Sequence, residues 1–329
     1  MRRLLILGLL PAMLAMAAPT GYHVVGDIKI GGEGGWDYLT VDSAARRLYV
    51  SHATHVAVVD VDAGKVVGDI PDTQGVHGIA LAPELNKGFT SNGRANSVTI
   101  FDLKTLKAIG QVVTGENPDS IRYDAVSGRV FTFNGRSNNS TAIDARTGKV
   151  AGTIALGGKP EFSVADGKGT VFVNIEDKNE VVAIDAAKLA VAKRYSLSPC
   201  DGPSGLAIDT KNRRLFSVCS NRLMAVSDPD SGKVLATPAI GQGSDGAAFD
   251  PATGYAFSSN GDATLTVVQQ AGGKWEVLEN IATERGARTI ALDDKTHKLY
   301  LPTARTAPAQ GAGRATYLPD TFKVLVIGK

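Results

Sequence analysis

The 329-residue sequence predicts an all-β fold, a seven-bladed β-propeller with four antiparallel strands in each blade. Three observations support it: a repeat of about 42 residues that occurs seven times, short apolar segments separated by turn residues, and 37 glycines. That glycine content is about 11%, above the average near 7%, as turn-rich folds require. The apolar fraction of 43% and the small net charge of +2 exclude a disordered chain.

The period of the repeat is measured by aspartates that end the third strand of successive repeats. They are separated by 42, 42, 41 and 43 residues, at Asp60, Asp102, Asp144, Asp185 and Asp228. Several precede tight-turn sequences in which glycine supplies the positive φ that a hairpin needs, at residues 62–65, 146–149 and 230–233. An open β-solenoid is the alternative fold, but each repeat is long enough for a complete four-stranded blade.

The seventh repeat is one strand short. It contains residues 298–301 and, after a long loop at 304–319, residues 322–327. An apolar segment at 23–30 precedes the first repeat and has no partner within it. We expect this segment to pair with the last strand and complete blade seven, which leaves no open sheet edge. Residues 18–329 are accordingly predicted to form a single propeller domain.

Residues 1–17 have the composition of a cleaved signal peptide. Arg2 and Arg3 precede an apolar run at residues 4–16, which is shorter than the ~20 residues of a membrane-spanning helix. A small-x-small cleavage pattern ends at Ala17. A buried N-terminal helix is the alternative, although a proline within the run disfavours it. We expect a periplasmic or secreted protein, cleaved near Ala17 and without a membrane anchor.

The charge pattern excludes several classes of partner. Without Arg2 and Arg3 the chain has 33 basic and 33 acidic residues, so its formal charge is zero. The charges are interspersed, with neither the basic stripe of a nucleic-acid-binding protein nor the polybasic segment of a membrane-surface protein. We expect a monomer whose partner is a small polar molecule or a peptide.

The two cysteines, Cys200 and Cys219, are too few for a disulfide-dense scaffold or a four-thiolate zinc site. Both are expected on the same face of blade five, with Cys219 paired across the sheet to about Ser204. A disulfide requires the intervening loop to fold back until the Cα atoms lie within roughly 7 Å. The alternative is that Cys219 is a small buried apolar residue.

The second strand of each repeat begins with an aromatic residue followed by small, β-branched or polar residues. The seven segments are Tyr49–His52, Phe89–Asn92, Phe131–Asn134, Phe172–Asn174, Phe216–Cys219, Phe257–Asn260 and Tyr300–Thr303. They resemble the YVTN repeat of the YncE-like family of secreted seven-bladed propellers. The resemblance covers almost all of the chain after residue 17 and implies fold and export. It implies no single activity, because related propellers include lactonases, a lyase, electron-transfer subunits and binding proteins.

Propeller geometry, taken from this resemblance, implies that the residues entering the first strands surround the mouth of a central channel. In blade order they are Asp37, His77, Asp119, Glu161, Ser204, Asp245 and Arg288. Four carboxylates, a histidine and an arginine at such positions suggest acid–base chemistry or cation binding. The alternatives are structural: Asp119 and Asp245 as turn-capping groups, His77 as a hydrogen-bonded histidine, Arg288 as a neutralising charge.

A second set of polar residues ends the second strands at the same face. It consists of His52, Asn92, Asn134, Asn174, Cys219, Asn260 and Thr303. Three of the asparagines precede glycine and are explained equally well by hairpin turns. Asn174 precedes isoleucine, which makes it the better ligand candidate. We predict ligand contacts from the polar members of both sets, namely Asp37, His52, Asn92, Asp119, Asn134, Asn174, Asp245, Asn260 and Arg288.

Two function hypotheses follow. In the first, the channel mouth is the active site of an enzyme, in which clustered carboxylates raise one another's pKa and His77 and Glu161 transfer protons. Lactone opening or an elimination would suit such groups, with or without a divalent cation. In the second, the propeller is a non-catalytic binding or scaffold protein. The sequence contains no phosphate-binding loop, nucleophile elbow or zinc-protease motif.

Overall fold

The computed structural model of the chain describes residues 19–307 and 316–329. The predicted signal peptide at residues 1–17 lies outside them. Seven four-stranded antiparallel sheets follow one another along the chain and form a closed ring, which confirms the predicted seven-bladed propeller. In this part of the chain the helical segments are two single 3-10 turns, Pro83–Leu85 and Glu176–Lys178. None of its helices is long and apolar enough to cross a membrane.

Blades one to four each contain four consecutive strands, ordered from the channel outwards. Blade one consists of β2 (Leu39–Asp42), β3 (Arg47–His52), β4 (His55–Asp60) and β5 (Lys65–Ile70). Blade two consists of β6 (Val76–Ala82), β7 (Lys87–Asn92), β8 (Ser97–Asp102) and β9 (Ala108–Val113). Blade three consists of β10 (Pro118–Asp124), β11 (Arg129–Asn134), β12 (Asn139–Asp144) and β13 (Val150–Ala155). Blade four consists of β14 (Pro160–Ala165), β15 (Thr170–Ile175), β16 (Glu180–Asp185) and β17 (Ala190–Ser196).

Blades five and six repeat this order, and blade seven combines both ends of the chain. Blade five consists of β18 (Pro203–Asp209), β19 (Arg214–Cys219), β20 (Met224–Ser227) and β21 (Val234–Ala236). Blade six consists of β22 (Ser244–Asp250), β23 (Tyr255–Asn260), β24 (Asp262–Ala271) and β25 (Lys274–Arg285). Blade seven consists of β26 (Ala291–Asp293), β27 (Lys298–Thr303), β28 (Lys323–Gly328) and β1 (His23–Lys29).

The N-terminal strand β1 closes blade seven. It pairs antiparallel with β28, in a register that runs from His23 opposite Gly328 to Lys29 opposite Lys323. The sheet order is therefore β1-β28-β27-β26. This agrees with the expectation from the missing strand, and it gives the last blade the same four strands as the others.

The core lies between neighbouring blades. The aromatic residue of each second strand is fully buried there, at Tyr49, Phe89, Phe131, Phe172, Phe216, Phe257 and Tyr300. Phe257 of blade six, for example, packs in one cluster with Leu299 and Leu325 of blade seven. Each such side chain contributes about 1.5–3 kcal/mol of hydrophobic stabilisation. The repeated aromatic position is thus explained by packing between blades.

The repeated aspartates have a structural role in the turns. Asp60 Oδ1 accepts hydrogen bonds from the backbone N–H groups of Asp62 and Ala63, at 2.9 and 2.8 Å. Asp102 does the same for residues 104 and 105 of the next blade. A carboxylate at this position fixes the turn after the third strand. The repeat spacing that identified the fold is therefore the spacing of the turns that these aspartates stabilise.

The first strands surround the channel closely. At Gly205 of β18, a Cβ atom would lie 2.7 Å from the carbonyl oxygen of Asp245 and 2.8 Å from the backbone nitrogen of Ala247, both in β22. Only glycine allows the backbones of these two strands to approach so far. This packing holds the residues that enter neighbouring first strands near one another.

Cys200 and Cys219 form a disulfide, with Cα atoms 5.7 Å apart. Cys219 lies opposite Pro203, one residue from the expected partner, because the ladder is irregular between Pro203 and Leu206. The loop folds back as the bond requires, and the backbone N–H of Cys200 donates to the carbonyl of Leu197. Both cysteines are buried.

Candidate functional site

Four carboxylates from four different blades lie around Tyr38, at the start of the first inner strand. The pKa of the Tyr38 hydroxyl is raised well above its ordinary value by burial and by the charges of Asp119, Asp37, Glu161 and Asp245. Direct contacts join His77 to Asp37 and Asp119, and Arg288 to Asp245. We call the end of the channel where these six charged residues lie the channel mouth.

Asp37, His77 and Asp119 form one group within the channel mouth. His77 Nδ1 lies 2.6 Å from Asp37 Oδ2 and 3.7 Å from Asp119 Oδ1. Inner-strand hydrogen bonds position the acids: Ser51 Oγ accepts from the backbone N–H of Asp37, and Ser91 Oγ donates to the carbonyl of Asp119. One ligand atom from each of the three residues lies within 4.8 Å of the others, a spacing that a metal ion could bridge.

The protonation of this group follows from its contacts. Burial alone would lower the pKa of His77, but the hydrogen bond to Asp37 and the charges of Asp119, Asp37 and Glu161 raise this pKa to about 9. Burial raises the pKa of Asp119 to about 6, against the opposing effect of His77. Asp119 Oδ1 is buried and accepts no hydrogen bond from the described residues.

Glu161 and Lys159 form a second group. Lys159 Nζ lies 2.7 Å from Glu161 Oε1 and also contacts Glu176. Burial and the charge of Asp119 nevertheless raise the pKa of Glu161 to about 8, because they outweigh the effect of Lys159. Sequence reasoning missed Lys159 and Glu176. The proline after Lys159, which restricts the loop that aims Glu161, was the available signal for the lysine.

Arg288 and Asp245 form the third group. Arg288 Nε donates to Asp245 Oδ2 at 2.8 Å, and Ser259 Oγ holds the Arg288 backbone by donating to its carbonyl. The pKa of Asp245 is raised, because burial and the charge of Asp37 exceed the effect of Arg288. Each acidic group at the mouth thus has a cationic neighbour, and the site has both signs of charge.

Two aromatic side chains next to the channel mouth pack together, and we call this contact the aromatic floor. The rings of Tyr38 and Phe162 meet edge to face, with centroids 4.9 Å apart. The Arg122 guanidinium lies over the same Phe162 ring, 5.4 Å from its centroid. Sequence reasoning missed all three residues. Their signal was position, since each lies within the first-strand segment of its repeat.

Three of the predicted asparagine ligands have hydrogen-bond partners in their own blades. Asn92, Asn134 and Asn260 are fully buried. Each accepts from a hydroxyl two residues earlier, on Thr90, Thr132 and Ser258. Each donates to a hydroxyl of the third strand, on Thr99, Thr141 and Thr266. These amides join the second strand to the third, and their hydrogen-bonding groups are occupied by the protein itself.

Asn174 and His52 are also placed in structural surroundings. Asn174 Nδ2 donates to the carbonyls of Ser204 and Gly205, so this amide joins blade four to blade five. His52 is buried, with Nδ1 3.2 Å from His55 Nε2 and its ring against Phe322. Burial and the neighbouring His55 lower the pKa of His52 to about 4. The structure does not bring either residue into contact with the acids of the mouth.

A further cavity of about 510 Å³ adjoins the mouth on the side of Arg288. Trp36 and Tyr317 line it, and their rings pack together with centroids 4.7 Å apart. Trp36 also stacks on Phe322. The predicted mouth residues that the structure brings together are Asp37, His77, Asp119, Glu161, Asp245 and Arg288.

Comparison with known proteins supports the fold. No family model matches the sequence, and no curated protein matches it. Solved structures do match, among them the hydrazine synthase of Kuenenia stuttgartiensis. That structure aligns with a TM-score of 0.71 and 15% identity, over 83% of this chain and 94% of the other. At this identity the likeness shows a shared propeller fold and carries no statement about activity.

Proposed function

We propose that this protein binds a small polar molecule at the channel mouth and opens or eliminates it by acid–base catalysis. The observation that carries the proposal is the contact of His77 Nδ1 with two carboxylates, 2.6 Å from Asp37 and 3.7 Å from Asp119, next to the buried Glu161. Burial raises the pKa of both Asp119 and Glu161, and the rise is larger for Glu161. Such pairs supply a base and an acid at the same pH.

The roles follow from these protonation states. Asp119 has a buried oxygen that accepts no hydrogen bond in the described chain and lies 3.7 Å from His77 Nδ1, so it is suited to remove a proton from water or from a substrate carbon. Glu161 is suited to protonate the leaving oxygen. His77, held as a cation by Asp37, stabilises negative charge that develops on a carbonyl oxygen. Lactone opening and a lyase-type elimination both require these three functions.

The proposal also includes export and family. The apolar segment at residues 4–16 supports a cleaved signal peptide and a periplasmic or secreted location. The aromatic second-strand repeats support membership in the YncE-like family. We propose a monomer whose partner is a small polar molecule, and a mass spectrum of the exported protein tests the cleavage by the expected start at Ala18.

Two substitutions test the chemistry. His77→Ala and Glu161→Gln are compared with Glu180→Gln, which changes a carboxylate on a middle strand of blade four. With a panel of lactones and β-eliminable acids, we expect the first two variants to lose about 10²-fold or more in kcat/KM. Glu180→Gln should behave as the wild type. Equal turnover by all four proteins would contradict an active site at the mouth.

A non-catalytic propeller is the alternative, and the same variants distinguish it. Calorimetric binding of a panel compound without its turnover, lost in His77→Ala, would show a binding site and no enzyme. Binding that survives both mouth substitutions would place the ligand elsewhere.

A divalent cation is a second candidate ligand of the mouth. The spacing of Asp37, His77 and Asp119 and the unpartnered oxygen of Asp119 favour it. Carboxylate and imidazole ligands suit several divalent ions, and binding would displace the proton of His77. We expect calorimetry with Ca²⁺, Mn²⁺ and Zn²⁺ to show an ion whose binding releases a proton and is lost in Asp119→Asn. Asp294→Asn, at an exposed acid, is the control.

A further inference from the structure

The channel contains a second cavity on the far side of the aromatic floor. It has a volume of about 600 Å³ and opens on the face opposite the mouth, where the turns between first and second strands lie. A smaller cavity of about 130 Å³ continues from it up to Tyr38 and Phe162. Arg122 lines both volumes. We call the two together the lower chamber.

Arg122, which is half-buried, has few hydrogen-bond partners for a charged group. Its Nε and Nη2 atoms donate to one acceptor, the carbonyl of Ser163, at 3.1 and 2.7 Å. In the described part of the chain, Nη1 donates no hydrogen bond, and no carboxylate lies within 4.0 Å of the guanidinium. A guanidinium has five N–H groups, so the end that faces away from Ser163 is left to bind something else.

Among the other half-buried arginines, several have carboxylate partners, whereas Arg47 and Arg129 donate to backbone carbonyls and contact no carboxylate within 4.0 Å in the described chain. Arg46 contacts Asp62 and Asp293, and Arg213 contacts Asp166 and Asp230. Burial lowers the pKa of Arg122 to about 10 with no neighbouring charge to oppose this. Arg122 is distinguished by its place, because it alone of these arginines lines both cavities of the lower chamber and has an Nη1 atom without an acceptor in the described chain. A ligand in the chamber can supply the missing counter-ion.

We propose that the lower chamber binds a small monocarboxylate with an apolar body, and that Arg122 holds its carboxylate. The outer N–H groups of Nη1 and Nη2 form a planar fork that matches the two oxygens of a carboxylate. The apolar part of the surrounding wall includes Ile79, Leu81 and Leu292, and the rest of the wall is polar. Such walls suit an aliphatic or aromatic body next to the charge.

The charges at the rim favour a single negative charge over a phosphate-like dianion. Asp42 and Asp294 line the outer part of the chamber together with Lys295. Within the described residues that line the chamber, Arg122 and Lys295 are the cations, so they balance the two rim acids. A ligand with one negative charge is attracted by the guanidinium and is repelled only weakly by the two rim acids. A dianion would be repelled more strongly by the same acids.

This site is distinct from the channel mouth, because none of the charged residues of the mouth lines the lower chamber. It therefore does not depend on the function proposed for the mouth. A ligand that binds only the folded chain stabilises it in proportion to the logarithm of its concentration above Kd. Binding at the lower chamber is thus measurable without knowing any activity of the protein.

The experiment uses benzoate as the probe and the folded wild-type protein. We expect calorimetry to show benzoate binding and thermal unfolding to move to higher temperature as benzoate is added. Benzamide, a neutral molecule of the same shape, should produce neither effect. Arg122→Met should weaken benzoate binding at least tenfold. Arg146→Met, which removes an exposed arginine from a turn on the same face, should bind like the wild type.

A second variant guards against a folding defect. Arg122→Lys keeps the charge but loses the fork, and we expect it to bind benzoate several-fold more weakly than the wild type. Three results would overturn the proposal. They are equal benzoate binding by the wild type and Arg122→Met, an effect of inorganic phosphate that exceeds that of benzoate, and no stabilisation by benzoate up to high millimolar concentration.

Discussion

At the scale of single residues, the channel mouth holds groups whose protonation is set by their neighbours. Glu161 has a pKa raised to about 8 from its ordinary 4.5. Between these two values the folded chain keeps a proton that the unfolded chain releases. The free energy of unfolding must then fall as pH rises through this window, because the folded state binds more protons there. Below about pH 4.5 both states are protonated, and the contribution is at its full value.

Glu161→Gln should remove this dependence. We expect the free energy of unfolding of the variant to equal that of the wild type near pH 4.5. Above this pH the variant should become increasingly more stable than the wild type, up to about pH 8. Urea unfolding at several pH values gives the free energies directly. Glu180→Gln is the matched control, and its curve should stay parallel to that of the wild type. Parallel curves for Glu161→Gln would mean that Glu161 is ionised in the folded protein.

The sequence predicted the residues at the mouth but not all of their partners. Equivalent repeat positions brought Asp37, His77 and Asp119 together, because closing a ring of equal units forces such positions to converge. Lys159 was missed, since its side chain reaches Glu161 from the neighbouring position in a loop. Repeat equivalence specifies backbone positions and says little about which direction a long side chain takes.

The asparagines show a second limit. A repeated Asn before glycine fits a turn, a ligand or a buried hydrogen-bond centre equally well. A hydroxyl residue two positions earlier, as Thr90 is to Asn92, was the distinguishing signal. With a further hydroxyl on the next strand, Thr99, the amide is satisfied inside the sheet. Buried amides need such partners, so the surrounding hydroxyl groups carry the information that the asparagine alone lacks.

At the scale of elements, blade five is the one held by a covalent cross-link. Its last two strands are short, at three and four residues, so their ladder contributes fewer hydrogen bonds than in other blades. The disulfide joins its second strand to the loop that leads into its first strand. The bond therefore cross-links the inner half of this blade, on the side away from its short outer strands.

Reduction of this disulfide should destabilise the protein. The two cysteines are 19 residues apart, and closing a loop of that size contributes about 3 kcal/mol. We expect this loss in the free energy of unfolding after reduction, measured in urea. Thiol titration in denaturant should find no free thiol before reduction and two afterwards. Two thiols in the untreated protein would show that the bond does not form.

At the scale of the whole molecule, the fold was predictable because it is a repeat. Turn chemistry after each third strand set the period, and the aromatic position in each second strand set the packing between blades. The strand missing from blade seven then required a partner from elsewhere in the chain. The chamber around Arg122 was not predictable in this way, because an arginine occupies this first-strand position in one repeat only.

Ring closure makes a prediction of its own. Ile28 of β1 is buried against Phe322 and Val324, whereas Val25 of the same strand is 44% exposed. Ile28→Ala should reduce the free energy of unfolding by about 2–5 kcal/mol. Val25→Ala should change it by no more than about 0.5 kcal/mol. Equal effects in urea unfolding would show that β1 contributes little to the closed ring.

The pairing of β1 with β28 also orders events during synthesis. Asp27 and Lys323, which contact each other across this pair, are 296 positions apart along the chain. The ribosome therefore produces one half of the closing pair almost a whole chain before the other. Until then, both β1 and β27 present bare edges that attract proteases and other chains. A chain interrupted before residue 323 cannot form this pair, so its strand edges stay exposed to proteases and to other chains. A chain that forms the pair is protected from both.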